Sequence, residues 1–293
     1  MIELLVRETQ KGINQSMKLL TWDLLLPGKT RSGREEDKAT ATAYLLDWGE
    51  NEEKKIRPAV VICPGGGYGH IAHREGEPVA MEYLAMGYHA FVIRYSLAPN
   101  RFPTALLELA LLMSQIREHS QEWFVDPDKI VVSGFSAGGH LACSLGTLWN
   151  REFVYEPLGK QAEDIKPNGM ILGYPVISSG PYCHAPSFER LLGEESQNEE
   201  KRHLVSLEDQ VGPHTPKTFL WHTVTDDTVP VQNAFLLAES LIRNQVSVEF
   251  HLYPTGGHGL SLATWETCGG RKELVEPQCQ SWISLAGEWL RHL

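Results

Sequence analysis

The sequence lacks the features that mark membrane proteins and nucleic-acid-binding proteins. It has no run of about 20 apolar residues, and no basic segment followed by an apolar stretch comes after Met1, so neither a membrane span nor a signal peptide is predicted. Basic residues are outnumbered, with 26 Lys and Arg against 37 Asp and Glu, which gives a formal net charge of −11. Nucleic acid and anionic membranes both attract basic patches, so neither is an expected partner. These absences favour a cytoplasmic protein.

Cysteine is scarce and irregularly placed. The five cysteines are odd in number and include no CxxC pair, which favours free thiols over a disulfide framework or a zinc site. His70 and His73 lie three residues apart but have no further ligands at metal-binding spacing, so no metal is expected. The 293 residues, 42% of them hydrophobic and without repeats, predict one domain over residues 1–293.

The most informative segment is Ile130–His140. It places a GxSxG pentapeptide, with Ser136 at its centre, directly after an apolar strand and before a helix of small residues. This strand-turn-helix pattern is typical of a nucleophile elbow, which exposes a serine to a base and to oxyanion donors. Ser136 is therefore the predicted nucleophile, and the amide of Ala137, at the start of the helix, is a predicted oxyanion donor. The alternative is a structural serine in a glycine-rich turn.

A glycine loop upstream supplies the second half of the predicted oxyanion hole. The apolar strand 59–63 runs into three successive glycines, which allow the backbone to approach a substrate closely. Alignment with the HGGG type of loop, with proline in place of the histidine, selects the amides of Gly66 and Gly67 as donors. Gly65 remains an alternative, because the sequence does not show which amides point inward.

An acid and a base follow later strands, in the order Ser, Asp, His. Asp226 and Asp227 both follow the strand-like run 218–222, and the register before Val-Pro selects Asp226 as the acid that orients a histidine. Asp227 is instead expected to cap the next helix. His258 lies in a glycine-flanked loop after the last strand and is the predicted base, whereas His251 lies within that strand.

The order of elements predicts the fold class. Strand-like segments at Ile2–Arg7, 22–26 and Thr40–Leu46 come first and are expected to form an antiparallel edge. Strands and helices then alternate, which predicts an α/β fold with a mostly parallel central sheet and helices on both faces. The long segment 175–216 interrupts this rhythm, and we expect it to form a lid or pocket wall over Ser136. The alternative is a solvated insertion without a role in the site.

These motifs together resemble the α/β-hydrolase superfamily, and within it small bacterial esterases of the acetyl xylan esterase-like or sugar hydrolase family. The resemblance covers most of the chain and is carried by six runs: residues 63–68, 74–78, 94–99, 134–141, 226–230 and 256–259. It implies a serine esterase that needs no cofactor and removes short acyl groups, acetyl on xylan-type carbohydrates among them. Tyr68, next to the oxyanion glycines, is then a candidate substrate-binding residue that stacks on a sugar ring.

The predicted activity is therefore hydrolysis of a small carboxylic ester by Ser136, Asp226 and His258. Two alternatives stay open from the sequence: a prolyl-peptidase-like or amide hydrolase with the same triad, and a catalytically silent binding protein on the same scaffold. A homodimer is compatible with the sequence and is not required by it.

Overall fold

The computed structural model describes residues 17–29, 34, 38–47 and 53–293, so the predicted strand Ile2–Arg7 lies outside the described residues. Within the described part, eight strands form one sheet. Most of them are short β-branched or aromatic runs, as strand propensity favours. The strands are β1 (Met17–Asp23), β2 (Thr40–Leu46), β3 (Arg57–Cys63), β4 (His89–Arg94), β5 (Val125–Phe135), β6 (Gly169–Gly173), β7 (Thr218–Thr223) and β8 (Val248–Tyr253).

The sheet is mostly parallel with an antiparallel edge. The strand order is β1-β2-β4-β3-β5-β6-β7-β8. β1 pairs antiparallel with β2, and β2 pairs antiparallel with β4, whereas every pairing from β4 through β8 is parallel. This arrangement confirms the predicted fold class. Because parallel strands end at the same edge of a sheet, the loops after β3, β5, β7 and β8 open on one side of the molecule.

Helices cover both faces of the sheet. They are α1 (Glu77–Ala85), α2 (Thr104–Glu118), α3 (Ser120–Trp123), α4 (Ala137–Leu148), α5 (Glu152–Tyr155), α6 (Ala162–Ile165), α7 (Ala185–Leu192), α8 (Glu199–Leu204), α9 (Gln232–Arg243) and α10 (Ser281–Leu290). The buried apolar residues of α2, α4 and α9 belong to one core cluster, and those of α1 and α10 belong to a second. The two clusters lie on opposite faces of the sheet, because successive side chains of a strand point to opposite faces.

Helix α7 is packed into the protein rather than standing apart from it. This helix belongs to segment 175–216, and its side chains Phe188, Leu191 and Leu192 are buried in the first core cluster. Phe188 also contacts the imidazole of His140 on α4, edge to face, with ring centroids 5.4 Å apart. Apolar burial of this kind stabilises a fixed position, so α7 has a defined place beside the loops that follow the parallel strands.

Candidate active site

The elbow at the end of β5 has the strained backbone that a nucleophile elbow requires. Ser136 lies between β5 and α4 with φ 53° and ψ −122°, a conformation that is rare for a residue with a side chain. The turn is tight enough to exclude side chains at its two glycines. A Cβ on Gly134 would lie 2.2 Å from the carbonyl oxygen of Gly138, and one on Gly138 would lie 2.0 Å from that of Cys63. The GxSxG pattern is therefore a steric requirement of this turn.

The structure brings Ser136, His258 and Asp226 together. The Nε2 atom of His258 is 2.8 Å from the Oγ atom of Ser136, and its Nδ1 atom is 2.7 Å from the Oδ2 atom of Asp226. Because the carboxylate can only accept, the imidazole proton is on Nδ1 and forms a hydrogen bond to Asp226. The Nε2 atom is then unprotonated and accepts a hydrogen bond from the Ser136 hydroxyl. Ser136 is 7% exposed, so it is largely buried and keeps a small surface that a substrate can reach.

Asp226 is held as a carboxylate by four donors. Its Oδ1 atom accepts hydrogen bonds from the amides of Thr228 and Val229, while its Oδ2 atom faces His258 and, at 3.2 Å, the Nε2 atom of His222. Burial alone raises the pKa of this carboxyl group, but the hydrogen bonds from the two histidines outweigh burial and hold the pKa well below its usual range. The acid is therefore ionised at any pH near neutrality.

The neighbouring acid has no such contacts. Asp227 is exposed, and its carboxylate accepts a hydrogen bond from the Thr228 hydroxyl. It does not cap α9, since no side chain caps the start of that helix. The structure thus separates the two candidates: Asp226 faces the histidine and Asp227 faces solvent.

His222 also contacts the predicted acid, although no motif of the sequence singles it out. Its side chain is fully buried, and its Nε2 atom lies within reach of two acceptors, the Val229 carbonyl at 3.0 Å and the Asp226 carboxylate at 3.2 Å. Nε2 therefore carries the proton, and Nδ1 has no partner in the described part of the chain. The sequence signal that could identify His222 is its position near the end of β7, four residues before Asp226.

The glycine loop after β3 offers two free amides. The N–H of Gly65 is already occupied, because it donates to the Glu75 carboxylate at 2.7 Å. Within the described residues, no acceptor takes the N–H of Gly66, Gly67 or Ala137. A Cβ on Gly65 would lie 2.9 Å from that of Ser136, so the loop and the elbow are in direct contact. The amides of the predicted donors are thus free to bind an oxygen, whereas the amide of Gly65 is occupied.

A buried carboxylate ties the glycine loop to the histidine loop. Glu75 is 2% exposed; one of its oxygens accepts from Gly65, and the other accepts from the Tyr174 hydroxyl at 2.8 Å. That hydroxyl in turn accepts from the Ser261 amide at 2.8 Å, and the Tyr174 ring packs edge to face on His258, with centroids 5.1 Å apart. The Glu75–Tyr174 network therefore touches both the loop that holds the free amides and the imidazole.

Tyr68 lies inside the protein. Its side chain is 4% exposed, and its hydroxyl lies 2.8 Å from the Nδ1 atom of His140. The Nε2 atom of His140 donates to the Val205 carbonyl, so Nδ1 is the acceptor of the Tyr68 proton. The Tyr68 ring also packs against Tyr95, with centroids 5.8 Å apart. Stacking on a sugar would need a ring face that these contacts cover, so the geometry favours a role for Tyr68 in shaping the glycine loop.

The described part of the chain has neither a metal-binding cluster nor a membrane-spanning helix. No group of three or more His, Cys, Asp or Glu side chains there is arranged to hold a metal ion. No helix there is long and apolar enough to cross a bilayer.

Comparisons with known proteins identify the family of this chain. The family model BD-FAE matches residues 46–241. Among curated proteins, the chain is 36% identical over 234 residues to an endo-1,4-beta-xylanase B of Butyrivibrio fibrisolvens, which covers 78% of this chain and 35% of that protein. It is 29% identical to an acetylxylan esterase of Xylanibacter ruminicola, over 71% of this chain and 42% of the relative. The chain thus spans well under half of the length of these two relatives.

Solved structures match over nearly their whole length. A crystal structure of an acetyl ester-xyloside bifunctional hydrolase from Caldicellulosiruptor lactoaceticus superposes with a TM-score of 0.75 at 34% identity, covering 87% of this chain and 88% of that one. The carboxylesterase Cest-2923 from Lactobacillus plantarum superposes with a TM-score of 0.78 at 27% identity, covering 95% and 98%. The family match, the neighbours and the strand order together place this chain in the BD-FAE family, as a carboxylesterase-type α/β-hydrolase.

Proposed function

We propose that this protein is a serine carboxylesterase that removes short acyl groups, acetyl above all, from small xylan-type carbohydrate esters. The observation that carries the proposal is the continuous chain of hydrogen bonds from Ser136 through His258 to Asp226, with distances of 2.8 and 2.7 Å. A hydroxyl, an imidazole and a buried carboxylate in this order generate a nucleophile from serine without a metal or a cofactor.

The reaction proceeds by acyl transfer in two halves. In the first, His258 takes the proton of Ser136 as the serine oxygen attacks the ester carbonyl, and the amides of Gly66, Gly67 and Ala137 stabilise the negative oxygen of the tetrahedral intermediate. The C–O bond to the alcohol then breaks, and the imidazolium returns its proton to the departing alcohol oxygen. Asp226 stabilises the imidazolium throughout and keeps its charge.

Water completes the reaction in the second half. It loses a proton to His258 and attacks the acyl-enzyme, and the collapse of the second intermediate releases the carboxylic acid and restores the Ser136 hydroxyl. The substrate in this proposal is a small-molecule ester that binds where the parallel strands end. The acetylated carbohydrate is supported by the names of two relatives, one an acetylxylan esterase and the other an acetyl ester-xyloside hydrolase.

A series of acyl lengths tests the substrate half of this proposal. Turnover of p-nitrophenyl acetate, butyrate and octanoate is measured beside that of acetylated xylo-oligosaccharides. We expect kcat/KM to be highest for acetyl and to fall with chain length, and we expect acetate to be released from the oligosaccharides. A preference for octanoate would contradict the short-acyl specificity, and activity confined to p-nitrophenyl esters would contradict the carbohydrate substrate.

Covalent trapping tests the mechanistic half. A fluorophosphonate is expected to label Ser136, and intact-protein mass spectrometry of acid-quenched reactions is expected to show a mass gain of one acetyl group on the wild type. Ser136→Ala is expected to show neither. Release of acetate without any acetylated enzyme in rapid-quench samples, together with no labelling, would argue against an acyl-enzyme.

A further inference from the structure

One arginine of segment 175–216 lies against the glycine loop. Arg190, near the end of α7, donates from Nη1 to the carbonyl of Gly67 over 3.2 Å. Its side chain runs along the loop, since a Cβ on Gly67 would lie 2.9 Å from Nη1 and one on Gly69 would lie 3.0 Å from Nε. Glycine at both positions therefore leaves the space that the guanidinium occupies, directly beside a proposed oxyanion donor.

Most N–H donors of the Arg190 guanidinium have no acceptor among the described residues. Arg190 is exposed, and it makes no ion pair with any carboxylate in the part of the chain that the structure describes. A guanidinium carries five N–H donors in a rigid fork, and the bond to Gly67 is the one hydrogen bond that the Arg190 guanidinium makes to the described residues. Several donors at the edge of the site thus face solvent, where an oxygen-rich ligand can reach them.

A histidine of the same segment lies next to this arginine. His184, just before α7, bonds through Nδ1 to the Ser187 hydroxyl at 2.8 Å, and its Cε1 atom would lie 3.9 Å from a Cβ on Gly67. Burial lowers its pKa, and the charges of His258 and Arg190 lower it further while Asp226 raises it, which shows that His184 is within electrostatic reach of the triad. Its Nε2 atom has no partner among the described residues.

We propose that Arg190 and His184 form the subsite for the alcohol portion of the ester, where they bind the hydroxyl oxygens of that portion. The carbonyl oxygen of an acetyl group already faces the proposed oxyanion donors, and the rest of the group is one apolar methyl, so a further polar wall suits the alcohol rather than the acyl group. This assignment rests on the proposed function and gives segment 175–216 a role as a fixed pocket wall.

A matched pair of substrates isolates the subsite. Glycerol 1-acetate and propyl acetate carry the same acyl group and the same alcohol carbon count and differ in their hydroxyls. We expect Arg190→Met to lower the ratio of kcat/KM for glycerol 1-acetate over propyl acetate by about 10- to 100-fold, which is the effect of losing hydrogen bonds to a charged donor. Arg190→Lys is expected to restore part of the ratio, since an ammonium lacks the fork but keeps the charge.

A neighbouring arginine provides the control. Arg101 donates from Nη1 to the Arg190 carbonyl at 2.7 Å and so holds the same helix without facing the glycine loop. Arg101→Met is expected to leave the substrate ratio within about twofold of the wild-type ratio. An unchanged ratio in Arg190→Met would overturn the proposal, and so would an equal fall in Arg101→Met, since the cause would then be the position of α7.

Hydrolysis of acetylated xylobiose tests the carbohydrate part of the proposed function independently of the subsite. If the wild type hydrolyses both simple acetates but no acetylated xylobiose, the carbohydrate half of the proposed function fails while the glycerol pair still decides the subsite. If no ester is hydrolysed, the proposed activity fails, and titration calorimetry with xylobiose decides the subsite. Weaker xylobiose binding by Arg190→Met than by Arg101→Met would support the subsite, and equal or absent binding by all three proteins would overturn it.

Discussion

The two sides of Ser136 are held in place by different means. On one side, Asp226 and His258 follow β7 and β8, and the parallel register of the strands brings them to the edge at which β5 delivers the serine. On the other side, the glycine loop after β3 is held by buried polar side chains, among them Glu75 and His140. Strand pairing brings the first side to the serine, and His222 and Tyr174 then orient its side chains, whereas the second side depends mainly on a network of buried side chains.

This difference has an energetic consequence. Strand pairing consists of many backbone hydrogen bonds that do not involve the triad side chains. Removal of a triad side chain is therefore expected to lower the catalytic rate while leaving the fold in place. A buried polar network depends on every member being satisfied, because a donor or acceptor left without a partner costs about 1–3 kcal/mol. Substitutions on the glycine-loop side are therefore expected to change activity and stability together.

The largest expected effect comes from the nucleophile. Ser136→Ala should lower kcat for p-nitrophenyl acetate by about 10,000-fold or more, since neither a base nor an oxyanion hole can replace the attacking oxygen. The matched control is Ser133→Ala, which removes a buried hydroxyl from β5, the strand that precedes Ser136. Steady-state kinetics and thermal melts of both variants separate loss of chemistry from loss of fold. Comparable rates for the two variants would mean that another group is the nucleophile.

Adjacent acids sharpen the comparison on the triad side. Asp226→Asn should lower kcat by about 1,000- to 10,000-fold, because an amide at this place favours the wrong tautomer of His258. Asp227→Asn removes an exposed carboxylate one residue away and should change kcat by less than about twofold. The two kcat values are measured at one pH near neutrality, where Asp226 is ionised. Similar losses in both variants would refute the assignment of the acid.

Sequence analysis could predict the triad side because its signals are local. GxSxG, the Asp before Val-Pro and the glycine-flanked His258 each lie in a short run next to a recognisable strand, and strand alternation predicted the sheet that brings the runs together. The choice between Asp226 and Asp227 needed only the register of one loop. The bounds of one predicted strand, Thr40–Leu46, are those of β2 in full, but the strand predicted at 22–26 was misplaced, since β1 is Met17–Asp23 and the two share residues 22 and 23.

The glycine-loop side could not be predicted to the same depth. Glu75 and Tyr174 are 99 residues apart and belong to no spacing pattern, so their hydrogen bond follows only from the packed structure. The same holds for Arg190 and Gly67, which are 123 residues apart. Tyr68 shows the limit directly: its position next to the glycines suggested stacking on a sugar ring, but its side chain is buried and its hydroxyl donates a hydrogen bond to His140.

An intermediate effect is expected from the Glu75–Tyr174 network. Glu75→Gln replaces one acceptor oxygen by an NH₂ group, so the carboxamide cannot accept from both Gly65 and Tyr174 as the carboxylate does. We expect kcat to fall about 10- to 100-fold with little change in KM, because the oxyanion donors and His258 are misplaced rather than removed. Tyr174→Phe should give a similar loss, and the double variant should lose less than the product of the two.

The neighbour Glu77 serves as the control for this network. It is exposed at the start of α1, so Glu77→Gln should leave kcat within about twofold of the wild-type value. A lower melting temperature for Glu75→Gln with an unchanged kcat would show that the network only stabilises the fold. A fall in kcat without a change in KM, together with non-additive losses in the double variant, would show that the network positions catalytic groups and does more than stabilise the fold.

The smallest effect concerns stability and isolates one histidine of the glycine-loop side. Burial lowers the pKa of His140 to about 4, whereas an unfolded histidine titrates near about 6.5. Between these values the unfolded chain binds a proton that the folded protein does not bind, so stability falls as the pH falls through this window. From pH 7 to pH 5.5 the contribution of His140 to the free energy of unfolding should fall by about 1 kcal/mol.

The variant His140→Gln keeps a hydrogen-bonding side chain but does not titrate, so its free energy of unfolding should depend less on pH than that of the wild type over the same interval. Urea unfolding at pH 7 and at pH 5.5 measures the difference for both proteins. His89, whose pKa is also lowered to about 4 by burial, is present in both proteins and cancels in the comparison. Equal pH dependence in the two proteins would contradict the prediction, because it would mean that the folded protein protonates His140 without loss of stability.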